Sequence, residues 1–268
     1  MKRICIPGTD IFASRFVFGT ANLFSAGTSA RRQRLLEAAV ANGFTHFDTA
    51  PSYGFGMAER DLRPVLARHP EVTVTTKVGI YSPGGEAQSA PEIFLRKAGG
   101  RLIPALSHPS YDWNVARAQK SLEGSLRRLG RDCIDLYMLH GPMLALLDVD
   151  EWLRWLERCV STGQVRRFGL ALRPDLLKPF LDIRCSLADV VQVLDSLDGR
   201  EADVLKRFGK RFQITYGYVS AAKSRGGRVS VPDVLRQALR RNMEGAIIVS
   251  TKKIARLTQF ARLSEDTA

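Results

Sequence analysis

The chain has 268 residues, 45% of them hydrophobic, with a formal net charge of +13. That length suits a single barrel-sized domain over residues 1–268 with a large core. No apolar run approaches the roughly 18 residues that a membrane span needs. The basic residues are spread as pairs, such as Arg31-Arg32, Arg127-Arg128, Arg166-Arg167, Arg240-Arg241 and Lys252-Lys253. They alternate with apolar positions, as solvated helix faces do, so no nucleic-acid partner is expected. Cys5, Cys133, Cys159 and Cys185 are scattered, with no CxxC pair, and read as free thiols in a reducing cytoplasm. The first seven residues are too short and too soon broken by Pro7 to be a signal peptide.

Residues 3–7 and 11–12 flank Gly8-Thr9-Asp10 and predict a hairpin. A first strand over 15–18 ends at Gly19-Thr20. Thr28-Ser29 offers a helix start, and Leu35, Leu36, Ala39 and Val40 a helical face closed by Gly43. A second strand, 44–47, stops at Asp48, and Ala50-Pro51-Ser52 turns the chain toward Tyr53. A helix within 57–68 carries Pro64, which should kink or restart it. The β-branched run 72–77 ends on Lys77. Residues 79–113 are rich in Pro and Gly and predict a long substrate-shaping loop with a short helix near 91–98.

Helix 115–129 stops at Gly130, and strand 134–140 ends on His140. Helix 151–161, strand 167–172, a helix from Pro174, strand 190–194 and helix 200–208 follow. Strand 212–216, a helix capped by Ser230, strand 246–249 and helix 254–263 complete eight strand–helix units.

Three successive strands therefore end in ionisable residues, Asp48, Lys77 and His140, with Tyr53 beside them. Strand ends of that kind are where (β/α)8 barrels collect their chemistry. Besides His140, His46, His69 and His108 lack ligand spacing, so no metal site is expected; His46 reads as a satisfied core residue. No GxGxxG follows the first strand, which excludes a Rossmann reading. Barrel phosphate sites use the loops after strands seven and eight, here 217–228 and 250–255. Ser250-Thr251-Lys252-Lys253 brings hydroxyls, cations and backbone N–H groups together at a helix start.

The chain resembles the aldo-keto reductases. The matching pieces are Gly43-Phe44 through Asp48-Thr49-Ala50 and Tyr53-Gly54, Thr76-Lys77-Val78-Gly79, Ser121 to His140, and Gly163 to Gly169. The resemblance implies a (β/α)8 TIM barrel with an N-terminal β-hairpin covering its bottom. It also implies a nicotinamide cofactor and a catalytic tetrad of Asp48, Tyr53, Lys77 and His140. In such a tetrad Tyr53 donates the proton, Lys77 lowers the phenol's pKa, Asp48 holds Lys77, and His140 orients the carbonyl. Gly19, Thr20, Asp48, Gln192, Tyr216, Ser250, Thr251, Lys252, Lys253, Arg256 and Gln259 fall on cofactor positions. Thr251 and Arg256 point to the 2′-phosphate of NADPH, Gln192 to the carboxamide and Tyr216 to the nicotinamide face.

One departure stands at strand five, where family members commonly carry Ser-Asn and this chain has Ala171-Leu172. The chain also ends soon after its last helix, where many members carry a long C-terminal tail. The expectation is a cytoplasmic NADPH-dependent oxidoreductase acting on an aldehyde, ketone or sugar-type carbonyl. The alternatives are an NAD(P)-dependent sugar dehydrogenase and a non-catalytic nucleotide-sensing protein on the same barrel.

Overall fold

The computed structural model describes residues 1–100, 108–226 and 228–265. The chain opens with an antiparallel hairpin, β1 (Arg3–Cys5) and β2 (Phe12–Ser14), paired Ile4 to Ala13. Then come β3 (Phe16–Gly19), α1 (Ser29–Ala41), β4 (His46–Asp48), α2 (Met57–Arg68) and β5 (Thr73–Val78). An excursion follows: β6 (Ile80–Tyr81), α3 (Ala90–Gly99) and β7 (Ser110–Tyr111). The next elements are α4 (Val115–Leu129), β8 (Ile134–His140), α5 (Val149–Ser161), β9 (Val165–Leu172) and α6 (Pro174–Asp182). Last are β10 (Val191–Leu194), α7 (Asp203–Arg207), β11 (Ile214–Tyr216), α8 (Tyr218–Ser224), α9 (Val231–Arg241), β12 (Ala246–Val249) and α10 (Ala255–Glu265).

Eight parallel strands close into a barrel in the order β3, β4, β5, β8, β9, β10, β11, β12, with β12 returning to β3. Side chains alternate across that wall. Leu136, Met138, Ala171, Ile214 and Ala246 fill the interior with Ile6, Ile11 and Ala13 of the hairpin segment, which therefore plugs the bottom. Tyr137, Leu139, Leu170 and Leu172 face outward into the layer packed by the helices. Among the described residues no helix is long and apolar enough to cross a membrane.

Local signals set several element ends. The Thr28 and Asn114 side chains accept from Arg31 N and Arg117 N at the starts of α1 and α4. Gly130 closes α4 at φ 65°, a left-handed turn that suits glycine. Ser89 and Glu92 form a reciprocal capping box at the start of α3.

Four expectations change. Helix α2 runs through Pro64 without restarting, held by the buried Leu62, Val65 and Leu66 around it. The helix expected over 200–208 is only Asp203–Arg207. Ser230 stands at the N-cap of α9 but makes no side-chain capping bond. Helix α8 lies in what reads from sequence as a loop. In the long 79–113 connection, residues 101–107 lie outside those described.

Candidate active site

Strands β4, β5 and β8 are neighbours in the barrel, and each ends at the same rim. Period two puts Asp48 and Lys77 on inner faces, because Phe47, Val74 and Val78 pack outward. The Lys77 ammonium donates to both Asp48 oxygens at 2.7 and 2.8 Å and to the Thr49 carbonyl at 2.8 Å. Its fourth contact is the Tyr53 hydroxyl at 3.3 Å. Lys77 is 1% exposed and Asp48 4% exposed, so both charges are out of water. The His140 ring stands edge-on to Tyr53, with centroids 6.0 Å apart. The structure thus brings Asp48, Tyr53, Lys77 and His140 together.

Electrostatics separates their capacities. Burial opposes the Lys77 charge, but Asp48 and Tyr53 outweigh it and hold the ammonium above its ordinary pKa. Burial pushes the Asp48 carboxyl up, against the pull of Lys77 and of a hydrogen bond from Gln192. We read the pair as ionised, because both carboxylate oxygens accept from one ammonium. Burial also raises the Tyr53 phenol, and by more than Lys77 lowers it. Lys77 thus acts in the expected direction, and burial leaves the phenol above its ordinary value. His140 is pushed down to about 3, first by burial and then by the Lys77 charge, so it is a neutral imidazole.

The segment after β5 grips the turn that carries Tyr53. Arg60 of α2 donates to the carbonyls of Phe55 at 3.2 Å and Gln88 at 2.8 Å, and also to that of Glu86. Ile93 of α3 packs on Phe55 and Met57. Gly79, at φ 104°, leaves room for the Trp113 ring, which a Cβ there would strike.

Two adjoining clefts open beside this rim. One, of about 250 Å³, is lined by Gly19, Asn22, Ser250, Thr251, Lys252, Lys253 and Arg256. The other, of about 210 Å³, shares Asn22, Ser250 and Arg256 and extends to Gly217, Tyr218 and Lys223. Lys252, Lys253 and Arg256 have no carboxylate partner among the described residues. Gly19 runs so close to Ile248 that a Cβ would collide with it.

Gln192, 5% exposed, lies beside Asp48, and its Oε1 is buried without a hydrogen-bond partner. An orphaned acceptor of that kind fits the N–H of a carboxamide. Tyr216 feels the fields of Tyr53, Lys77 and Asp48, and burial raises its phenol to about 12.

Two expected cofactor residues lie outside the lining of these clefts. Thr20 is fully buried and donates its hydroxyl to the Asp48 carbonyl at 3.0 Å. Gln259 is exposed and lines neither cleft. The sequence reading also passes over Asn22 and Lys223. Lys223 had a signal, since it lies in the loop after the seventh strand; Asn22 had none beyond following Gly19-Thr20.

Residues 15–174 match the model of the Aldo/keto reductase family. The chain belongs to the aldo/keto reductase family. Over 177 residues it is 32% identical to 6-dehydroglucose reductase of Agrobacterium fabrum, covering 64% of this chain and 54% of that protein. Over 154 residues it is 32% identical to D-threo-aldose 1-dehydrogenase of a Pseudomonas species, covering 56% and 46%. NADH-specific methylglyoxal reductase of Escherichia coli is 31% identical over 182 residues, covering 64% of this chain and 52% of that protein. The chain spans about half the length of the curated relatives it matches.

Among solved structures, glycerol dehydrogenase of Gluconobacter oxydans superposes with TM-score 0.74 at 20% identity, covering 97% of this chain and 89% of that one. An aldo-keto reductase from Bacillus halodurans gives 0.73 at 20% identity, with coverages of 99% and 91%. These likenesses carry the barrel fold.

Proposed function

We propose that this member of the family is a nicotinamide-dependent oxidoreductase that reduces an aldehyde, ketone or sugar-type carbonyl, with Tyr53 as general acid. The observation that carries the reading is the Lys77 ammonium held between Asp48 and the Tyr53 hydroxyl, with the neutral His140 ring beside the phenol. The bound nicotinamide supplies the hydride that no side chain can. Gln192 suits its carboxamide, Tyr216 its ring, and Ser250, Thr251, Lys252, Lys253 and Arg256 its phosphates.

A carbonyl under reduction would gather negative charge on its oxygen. His140 donates one hydrogen bond there and orients it. At neutral pH the imidazole has only that neutral N–H to offer, while the phenol is fully protonated, so the transferred proton comes from Tyr53. The developing alkoxide is a stronger base than phenolate, so the transfer is downhill despite the raised phenol pKa. Lys77 then stabilises the phenolate left behind, and Asp48 keeps Lys77 in place.

The test is purified protein with NADPH or NADH and a panel of aldehydes and aldoses, followed by loss of reduced-nicotinamide absorbance. Turnover that falls by roughly a hundredfold or more in Tyr53→Phe supports the reading. Cofactor binding with no turnover on any carbonyl favours the non-catalytic alternative.

A further inference from the structure

His46 is fully buried inside the barrel, two residues before Asp48 on the same inner face of β4. Both ring nitrogens are engaged. Nδ1 lies 2.6 Å from the Thr73 hydroxyl and Nε2 lies 2.7 Å from the Thr75 hydroxyl. The Thr73 hydroxyl also lies 3.1 Å from the Thr45 carbonyl, to which it can only donate. A hydroxyl has one proton. All three bonds therefore coexist only when Nδ1 carries the imidazole proton and Thr75 donates to a bare Nε2. A second ring proton is opposed by burial and then by the charge of Lys77, which hold the imidazole down to about 3.

One bond is level with the backbone pairing and the other is diagonal. Backbone pairing sets His46 against Thr73 and Asp48 against Thr75. The ring thus ties its own level to the next one up, and Lys77 follows two residues after Thr75. On the opposite face of the sheet, Thr76 donates to Glu59 at 2.6 Å, and Arg128 donates to the same carboxylate at 2.6 Å. Strand β5 is therefore gripped from both sides immediately before Lys77.

We propose that His46, as the neutral Nδ1–H tautomer, is a positioning residue that locks β5 to β4 through Thr73 and Thr75 and so sets Lys77 on Asp48 and Tyr53. Its kinetic consequence rests on the oxidoreductase reading above; its hydrogen bonds do not. Thr75→Val keeps the side-chain shape and removes one bond of the clamp.

Two measurements on the full chain test the idea. The first is nitrogen-15 NMR of the cofactor-free protein at neutral pH, with the His46 signals identified by their loss in His46→Gln. The expected spectrum is that of an Nδ1–H tautomer, with a slowly exchanging Lys77 ammonium signal that is lost in Thr75→Val and kept in Thr75→Ser. The second is steady-state kinetics. In Thr75→Val kcat should fall about tenfold or more, as a small misplacement of a catalytic group does, with KM unchanged and with recovery in Thr75→Ser.

A merely structural threonine would lower Tm and leave kcat of the folded protein alone. An Nε2–H tautomer, or an unchanged Lys77 signal and kcat in Thr75→Val, overturns the proposal. A wild-type protein that reduces no carbonyl sinks the oxidoreductase reading, and the Lys77 signal then decides the clamp by itself. If Thr75→Val does not fold, Thr75→Ala removes the same bond.

Discussion

Lys77 has three ammonium hydrogens and four oxygen neighbours, and the Tyr53 contact is the longest of the four. The phenol is thus the loosest partner, and since Lys77 is the donor in that contact the phenol keeps its own proton. Removing Lys77 strands a buried carboxylate. Lys77→Met should therefore cost roughly 3–5 kcal/mol of stability, as breaking a buried pair does. Adding Asp48→Asn should return most of that without restoring turnover. Urea unfolding of the single and double variants checks this, and a single variant as stable as the double contradicts it. His46 and His140 are both held near 3, well below the ordinary 6.5 of an imidazole. The unfolded chain therefore takes up protons that the folded one refuses as pH falls. Their contribution to stability is present above 6.5 and is lost between 6.5 and about 3. His140→Gln should flatten the fall of the urea midpoint across that window, and an unchanged slope would refute a buried neutral His140.

At the level of elements, β9 divides the Ala171-Leu172 departure into two separate matters. Ala171 points into the barrel, in register with His140 on β8 and Gln192 on β10. Leu172 points the other way, into the helix layer, and is 2% exposed. Ala171→Ser should leave Tm near wild type and tighten cofactor binding, by about 1 kcal/mol for one added hydrogen bond. Leu172→Asn should lose about 3 kcal/mol by emptying an apolar site and burying an amide. Thermal melts with and without cofactor separate the two, and a stable Leu172→Asn would place that side chain wrongly here. The same contrast shows what the sequence could reveal. Helix α4 and strand β12 are legible to the residue, because Asn114, Gly130 and a continuous apolar run mark their ends. Helix α7 has five residues and α8 seven, too short for a period to develop, and neither has a side-chain cap. Asp48, Lys77 and His140 are legible because each falls at, or one residue before, the end of its strand. The fate of Thr20 is not, since only tertiary contact with the Asp48 carbonyl turns it inward.

Across the whole molecule, the +13 charge and the cations beside the first cleft act together. A basic field raises encounter with anionic ligands and weakens as salt screens it. NADPH carries one phosphate more than NADH, so it should bind tighter and lose more affinity as salt rises. Arg256→Ala should remove roughly tenfold of NADPH affinity, about 1.4 kcal/mol, and little of that for NADH. Fluorescence quenching titrations at low and high salt measure both. Equal cofactor affinities that Arg256→Ala leaves unchanged would assign the 2′-phosphate elsewhere. The relatives themselves point both ways, one being named for NADP(+) and another for NADH.

The first cleft straddles the seam where β12 meets β3, with Gly19 and Asn22 on one lip and Ser250 to Arg256 on the other. That seam joins parts of the chain about as far apart as it allows: the Arg15 guanidinium meets the Gly245 carbonyl across 230 positions. Pairing in chain order would close this seam last, after the seven joints between consecutive strands. A molecule seated there would act as a clasp on that joint. At a hundred times its Kd it adds about 2.7 kcal/mol. In hydrogen exchange, a saturating nucleotide should therefore slow the amides of β12 and β3 far more than those of β5 and β8. Uniform slowing around the ring would mean that the barrel opens as one unit rather than at its seam.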